Sequence, residues 1–277
     1  MTLGELLRVA TARLAAAGVP SPRVDAELLA ADWLGIERAQ LSTRTGEAVD
    51  PQGLEPLLAR REAREPLQHI LGRTPFRHLM LAVGPGVFIP RPETELLVDA
   101  ALARLREHRG APLVVDLCSG SGALAVSVAT ELPGSRVVAV EREPDALPWL
   151  RRNAAGTQVS VVAGDAADPE LLAELRGTVD VVLANPPYVP AAAIVDVEVR
   201  ADPAAAVFGG VDGLALLPHV IARAAEWLRP GGMFAMEHEA SQGEVAPELL
   251  RMDGRWLDIA DHRDLAGRPR YVTAVRS

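Results

Sequence analysis

Apolar positions along the first part of the chain recur with helical spacing. Leu3, Leu6, Leu7, Ala10 and Leu14 share one face, and Thr2 and Glu5 stand three residues apart, as in a capping box. Gly18 and Pro20 end that helix, Ser21-Pro22 opens a second that Gly35 closes, and Asp50-Pro51 starts a third running through Arg64. These short amphipathic helices predict a small bundle over residues 1–72. Between 73 and 91 the period changes. Pro75, Gly84, Pro85, Gly86 and Pro90 punctuate apolar stretches from Phe76 to Val83 and from Val87 to Ile89, which predicts a β-hairpin linker. A helix is expected from Pro92 to Glu107. From 112 onward, β-branched runs alternate with helical patterns. Strands are expected at 112–117, 136–140, 158–162, 179–184, 232–237, 255–260 and 270–275, and helices at 122–131, 144–154, 168–175 and 213–228. That alternation predicts a parallel, doubly wound α/β sheet over residues 92–277, ending in an antiparallel pair.

Composition narrows the class. The 277 residues are 49% hydrophobic and 23% charged, a globular balance with enough chain for a sizeable core. The net charge is -9, so nothing pulls the whole molecule toward nucleic acid. The arginines at 60, 61, 64, 73 and 77 read as a solvated helix face. Cys118 is the only cysteine, which excludes an internal disulfide and suggests no zinc cluster. No run is apolar for long enough to span a membrane and no secretory leader is evident, so a cytoplasmic location is expected.

The candidate chemistry gathers at the ends of the expected strands. Val114-Val115-Asp116-Leu117 runs into Cys118, Ser119, Gly120, Ser121 and Gly122, and a helix follows at once. A glycine loop before a helix N-terminus allows close backbone approach to a ligand. The loop lacks the third glycine of a dinucleotide fingerprint and carries an acid, Asp116, which would repel a pyrophosphate and suit a ligand ammonium. S-adenosylmethionine, with its sulfonium and amino group, fits better than NAD. Glu141 ends the second strand, where a carboxylate accepts from ribose hydroxyls. Asp165 follows the third and would accept from an adenine amine, next to Ala166. Asn185-Pro186-Pro187-Tyr188 follows the fourth. The Asn185 side-chain oxygen and the Pro186 carbonyl would be two stiffly held acceptors beside the Tyr188 ring, a set suited to a flat group bearing NH2. Any one of these residues alone reads as a cap or turn; together they indicate a nucleoside cofactor. No metal site is expected.

These motifs resemble the PrmC/HemK family, the glutamine methyltransferases that modify peptide-chain release factors. The likeness includes Asp25-Ala26-Glu27-Leu28-Leu29, the run from Arg64 to Gly72, and Phe88-Ile89-Pro90-Arg91-Pro92-Glu93-Thr94-Glu95, the most family-specific stretch. Asp116–Gly122 and Asn185–Tyr188 are general to amino-directed methyltransferases. Glu237-His238, Gln242-Gly243-Glu244 and Asp264–Arg268 complete the match. The resemblance implies a small helical substrate-recognition domain, a hairpin, and a Rossmann-like seven-strand class I methyltransferase domain. It implies S-adenosylmethionine as donor and the glutamine of a Gly-Gly-Gln loop in class-1 release factors as acceptor, with Asn185 to Tyr188 holding the amide. It also places Phe88 and Arg91 beside the cofactor, so Arg91→Ala is expected to lower activity more than thermal stability. Ala166 stands where the family often has an aromatic residue, and His69 where tyrosine is common. His69, His78 and His238 are candidate acceptors of the departing proton. The alternatives are a DNA adenine amino-methyltransferase, which would use the same Asn-Pro-Pro-Tyr segment, and a non-catalytic cofactor-binding protein.

Overall fold

The computed structural model describes residues 1–277 and divides into two compact units. The first comprises Met1–Arg73 together with Asp196–Ala201. It holds α1 (Leu3–Ala16), α2 (Pro22–Leu34), α3 (Glu55–Glu62) and α4 (Leu67–Leu71), with a 3-10 turn at Arg38–Thr43. The capping box forms: Thr2 accepts from the Glu5 N–H, and the Glu5 carboxylate accepts from the Thr2 N–H. Leu3, Leu14, Leu29, Leu54 and Leu58 fill the interior of this unit. The expected single helix over 51–64 instead splits into a 3-10 turn, Pro51–Gly53, and α3. Pro56 lacks the N–H that would bond back into the earlier turn, so the helix restarts beside it.

The second unit, Thr74–Val195 and Asp202–Ser277, carries a seven-stranded sheet. Before it come β1 (Arg73–Phe76) and β2 (Leu79–Ala82), joined through Arg77-His78 as a two-stranded sheet. Val87 and Ile89, expected to be strand-like, are buried without joining a sheet. The 3-10 turn Pro92–Thr94 leads into α5 (Glu95–Leu105). The sheet strands are β3 (Leu113–Leu117), β4 (Arg136–Glu141), β5 (Val159–Ala163), β6 (Val179–Ala184), β7 (Leu228–Glu237), β8 (Trp256–Arg263) and β9 (Pro269–Arg276). Their order is β5-β4-β3-β6-β7-β9-β8, parallel through β7, with β9 antiparallel to both neighbours.

Every residue of β3 and β6 is buried, as a parallel strand covered on both faces requires. Val115, Leu117, Val182 and Phe234 face one core; beyond the one-turn α8 (Ala204–Val207), α9 (Leu217–Trp227) and α10 (Val245–Asp253) cover it with Ile221, Trp227 and Leu250. Val114, Val181, Leu183 and Ala235 face the other, covered by α5, α6 (Ala123–Glu131) and α7 (Leu147–Ala154) through Leu97, Leu124 and Leu150. The helix expected at 168–175 is only a 3-10 turn, Ala173–Leu175; the Asp168 carboxylate takes the Glu170 N–H in a local turn that competes with a helix. The sequence reading missed α10, because Pro247 reads as a breaker. It stands in the first turn, where its missing N–H has no partner to lose. No helix is long and apolar enough to cross a membrane.

Candidate active site

The strand order reverses between β3 and β6, with β4 and β5 to one side and β7 to the other. In open α/β sheets the crevice outside the strand ends at such a switch is where ligands bind. Register pairs Leu117 with Val140 and Ala184, and Glu141 with Ala163. Asp165, Glu141, the Cys118–Gly122 loop and Asn185 therefore stand in that spatial order along one sheet edge.

The loop after β3 is tightly wound. The Ser119 N–H bonds the Val140 carbonyl, the Ser119 hydroxyl donates to the Asp116 carbonyl, and the Gly122 N–H closes onto Ser119. Cys118 lies at φ 67 and Gly120 at φ 54. A Cβ added at Gly120 would meet open space, so its backbone faces an unfilled volume that a ligand can approach. Glu141 is buried and accepts the Gly120 N–H at 2.7 Å on one oxygen and the Glu143 N–H at 2.7 Å on the other. Each carboxylate oxygen keeps a lone pair for a further donor. Asp165 accepts the Ala167 N–H and lies 3.3 Å from Arg142, and Ala166 is buried.

Asp116 sits beneath the loop with no exposed surface. Its Oδ2 accepts the Ala125 N–H at 3.1 Å, and its Oδ1 has no partner. It holds the start of α6 through Ala125 and keeps one acceptor oxygen unspent. Burial pushes its pKa up to about 7, helped by the nearby Glu141 charge. Burial and the same acidic neighbours also raise the Cys118 thiol, so it stays protonated. A carboxyl with a raised folded-state pKa binds its proton more tightly folded than unfolded. Its contribution to stability is thus lost as pH rises toward 7. We expect Asp116→Asn to melt above wild type by a margin that widens from pH 5 to pH 8, read by calorimetry at each pH; a constant gap would mean that Asp116 is ionised in both states.

On the other side of the switch, Asn185 is partly exposed and Pro186 buried. The Asn185 Nδ2 donates to the Thr94 hydroxyl at 3.1 Å, which turns the side-chain oxygen the other way. The Tyr188 hydroxyl donates to Glu237 Oε1 at 2.8 Å, and the Gln242 amide donates to the Tyr188 carbonyl at 3.1 Å. A Cβ at Gly213, which lies at φ 79, would collide with that same carbonyl, so the loop packs here backbone against backbone. Burial and the Glu237 charge raise the Tyr188 pKa well above the ordinary phenol value, so Tyr188 remains a donor.

The segment that includes Phe88 and Arg91 is held from an unexpected quarter. Asp202, buried and far along the chain, accepts the Ile89 N–H at 3.1 Å and the Arg91 guanidinium at 2.5 Å. The guanidinium lies 4.9 Å from the Phe88 ring centroid. Sequence reasoning assigned no role to Thr94, Asp202 or Glu237, although Thr94 and Glu237 lie in quoted motifs; nothing local to Asp202 distinguishes it from a turn residue. Of the candidate histidines, His238 is buried between Asp261 and the Glu239 carbonyl, which accounts for both ring nitrogens.

Comparison with known proteins agrees along the chain. Residues 5–72 match the PrmC N-terminal domain family and residues 85–201 the methyltransferase small domain family. A Mycolicibacterium smegmatis protein named release factor glutamine methyltransferase is 50% identical over 274 residues, covering 98% of this chain and 96% of its own. One of the same name from Streptomyces coelicolor is 49% identical over 272 residues, covering 97% and 96%. A Pyrococcus furiosus methyltransferase structure, 18% identical, superposes with a TM-score of 0.50 over 71% of this chain and 87% of that one, a likeness of fold. With both family matches in place and half of all positions shared with relatives from end to end, the chain belongs to the release factor glutamine methyltransferase family.

Proposed function

We propose that this protein methylates the side-chain amide nitrogen of the glutamine in the Gly-Gly-Gln loop of class-1 release factors, with S-adenosylmethionine as donor. The observation that carries the reading is the paired acceptors at the switch point. The Asn185 Oδ1 is turned away from Thr94, and the Pro186 carbonyl follows on a backbone held rigid by two prolines. A primary amide has two N–H groups, one for each acceptor.

The residues of the β3–β4 edge fit the cofactor. Gly120 leaves room for close approach, Glu141 has lone pairs for ribose hydroxyls, and Asp116 keeps an unpartnered oxygen under the loop. Cys118, Ser119, Ser121 and Gly122 shape the loop, Asp165 and Ala166 stand where the adenine would lie, and Phe88 and Arg91 flank from the segment ahead of α5. When bound, the sulfonium supplies an electrophilic methyl group and a neutral thioether leaving group. An amide nitrogen is a poor nucleophile because its lone pair is shared with the carbonyl. Asn185 and Pro186 hold both of its hydrogens and so aim the lone pair; the gain comes from alignment and fixed dipoles. Tyr188 and Pro187 wall the flat amide and exclude water, and the surplus proton leaves after transfer.

In this reading residues 1–72 recognise the protein substrate, 73–91 link, and 92–277 carry the transfer. The test is methyl transfer to a purified release factor, with its Gly-Gly-Gln glutamine changed to alanine as control and duplex DNA as a competing acceptor. Incorporation that survives the alanine control, or that goes to DNA, would refute the assignment.

A further inference from the structure

Gln242 belongs to a stretch that the family likeness includes, and the amide-holding set does not use it. It is 5% exposed, and both ends of its own amide are spent on backbone. Its Oε1 accepts the Glu239 N–H at 3.0 Å. Its Nε2 donates to the Tyr188 carbonyl at 3.1 Å and lies 3.4 Å from the Gly213 carbonyl. Carbonyls only accept and an N–H only donates, so these partners fix the amide's direction: NH2 toward Tyr188 and Gly213, oxygen toward Glu239. A Cβ at Gly213 would fall 2.8 Å from that nitrogen, so glycine there leaves the NH2 its place. The oxygen is accounted for by the capping box of the 3-10 turn Ala240–Gln242. Capping needs only an acceptor, and glutamate serves it as well as glutamine. The NH2 has no part in it.

We propose that Gln242 is a positioning residue for the amide-holding segment: by donating to the Tyr188 carbonyl it fixes the backbone that carries the Pro186 carbonyl and the Tyr188 ring. The inference rests on the methyl-transfer reading. Pro186 and Pro187 have no N–H, so neither can be tied down through a donor of its own. The stretch is held just beyond them. Gln242 takes the Tyr188 carbonyl, the Val189 N–H bonds the Val207 carbonyl, and the Val189 carbonyl takes the Gly209 N–H. The Tyr188 hydroxyl on Glu237 fixes the far end of the ring. Tyr188 is thus gripped by its backbone and by its ring tip, from residues on either side of the turn into Ala240–Gln242. Without the Gln242 donor the Tyr188 carbonyl is free to turn with its peptide plane. The Pro186 carbonyl, two residues earlier, then loses its aim on a substrate N–H, and the ring loses its register with it.

The experiment compares Gln242→Glu, which keeps an oxygen for the Glu239 N–H and removes the NH2, with Gln242→Met, which keeps the length and removes both without adding charge. Two readouts are used. Tyr188 and Tyr271 are the only tyrosines. Protein labelled with carbonyl-13C tyrosine therefore gives two carbonyl signals, and that of Tyr271 is identified by its loss in Tyr271→Phe. The second readout is kcat on a whole release factor alongside KM for S-adenosylmethionine. In both variants the Tyr188 carbonyl should move upfield as its hydrogen bond is lost, while Tyr271 stays in place. The kcat should fall about tenfold, the weight of one hydrogen bond, with KM for the cofactor within about twofold. A capping role alone would leave Gln242→Glu like wild type in both readouts and impair only Gln242→Met; that result would overturn the proposal. If the buried charge unfolds Gln242→Glu, Gln242→Met decides: an unmoved Tyr188 signal, or a moved one with normal kcat, would overturn it equally. If wild type fails to methylate the release factor, the functional reading falls, while the carbonyl signal still decides whether Gln242 holds Tyr188.

Discussion

Asn185→Ala should lose methyl transfer by about 10²- to 10³-fold in kcat, the usual cost of deleting one preorganised polar group facing a developing charge. The fold should survive. Asn185 is partly exposed at a strand end and contributes no core packing. The stability lost is that of a single hydrogen bond to Thr94, about 1 kcal/mol. Cofactor affinity should change little, since the loop after β3 and Glu141 are untouched. Asn185→Asp is the more discriminating variant. It keeps an acceptor oxygen, which by itself favours residual activity. It also removes the donor to Thr94 and sets a second carboxylate near the buried Glu237, two like charges that resist being ionised together. We expect it to fall well below wild type and to recover partly as pH drops. The measurement is kcat against pH with an intact release factor; a normal rate in Asn185→Ala would end the amide-holding mechanism.

Arg91→Ala should destabilise the protein as well as slow it. The sequence favoured an effect on activity above stability. The structure adds a cost from the other partner, Asp202, whose side chain has no exposure and whose second oxygen holds the Ile89 N–H. Removing the guanidinium leaves a buried carboxylate without its counter-charge. A fully buried pair broken in this way costs about 3–5 kcal/mol; Arg91 is 32% exposed, so solvent screening reduces the expectation to about 2 kcal/mol. In a chain of this size that is a drop of roughly 5 °C in melting temperature. Burial already raises the Asp202 pKa, and loss of Arg91 raises it further. The deficit should therefore be largest at neutral pH and shrink toward acid, where Asp202 takes up a proton. Adding Asp202→Asn to Arg91→Ala should recover part of the loss, and a double-mutant cycle measures the coupling. Equal melting of wild type and Arg91→Ala would show that the pair carries no stability.

The sequence by itself determined the plan of the second unit and half of the candidate site. Strand and helix periods are local, so the alternation from β3 to β7 is legible position by position, as is the antiparallel pair at the end. Asp116, Glu141, Asp165 and Asn185 are legible for a related reason. Each lies within, or no more than two residues beyond, the end of a parallel strand, and parallel strands carry their C-terminal ends to one edge, so chain position alone implies spatial grouping. Errors arose where a local rule met a competitor nearby: Pro247 in the first turn of α10, Pro56 splitting the third helix, the Asp168 turn in place of a helix. Tertiary structure alone decided the supports of the site. Thr94 meets Asn185 across 91 residues of chain, Tyr188 meets Glu237 across 49, and Arg91 meets Asp202 across 111. Asp196–Ala201 joins the helical unit, where Glu198 accepts from Arg61 and Arg64. Those two arginines, expected on a solvated face, are thereby enclosed or paired: Arg61 is 2% exposed and also bonds Asp25. Such pairs leave no periodic trace, because a buried charge needs only one partner of opposite sign within reach, and the fold can bring that partner from any distance along the chain.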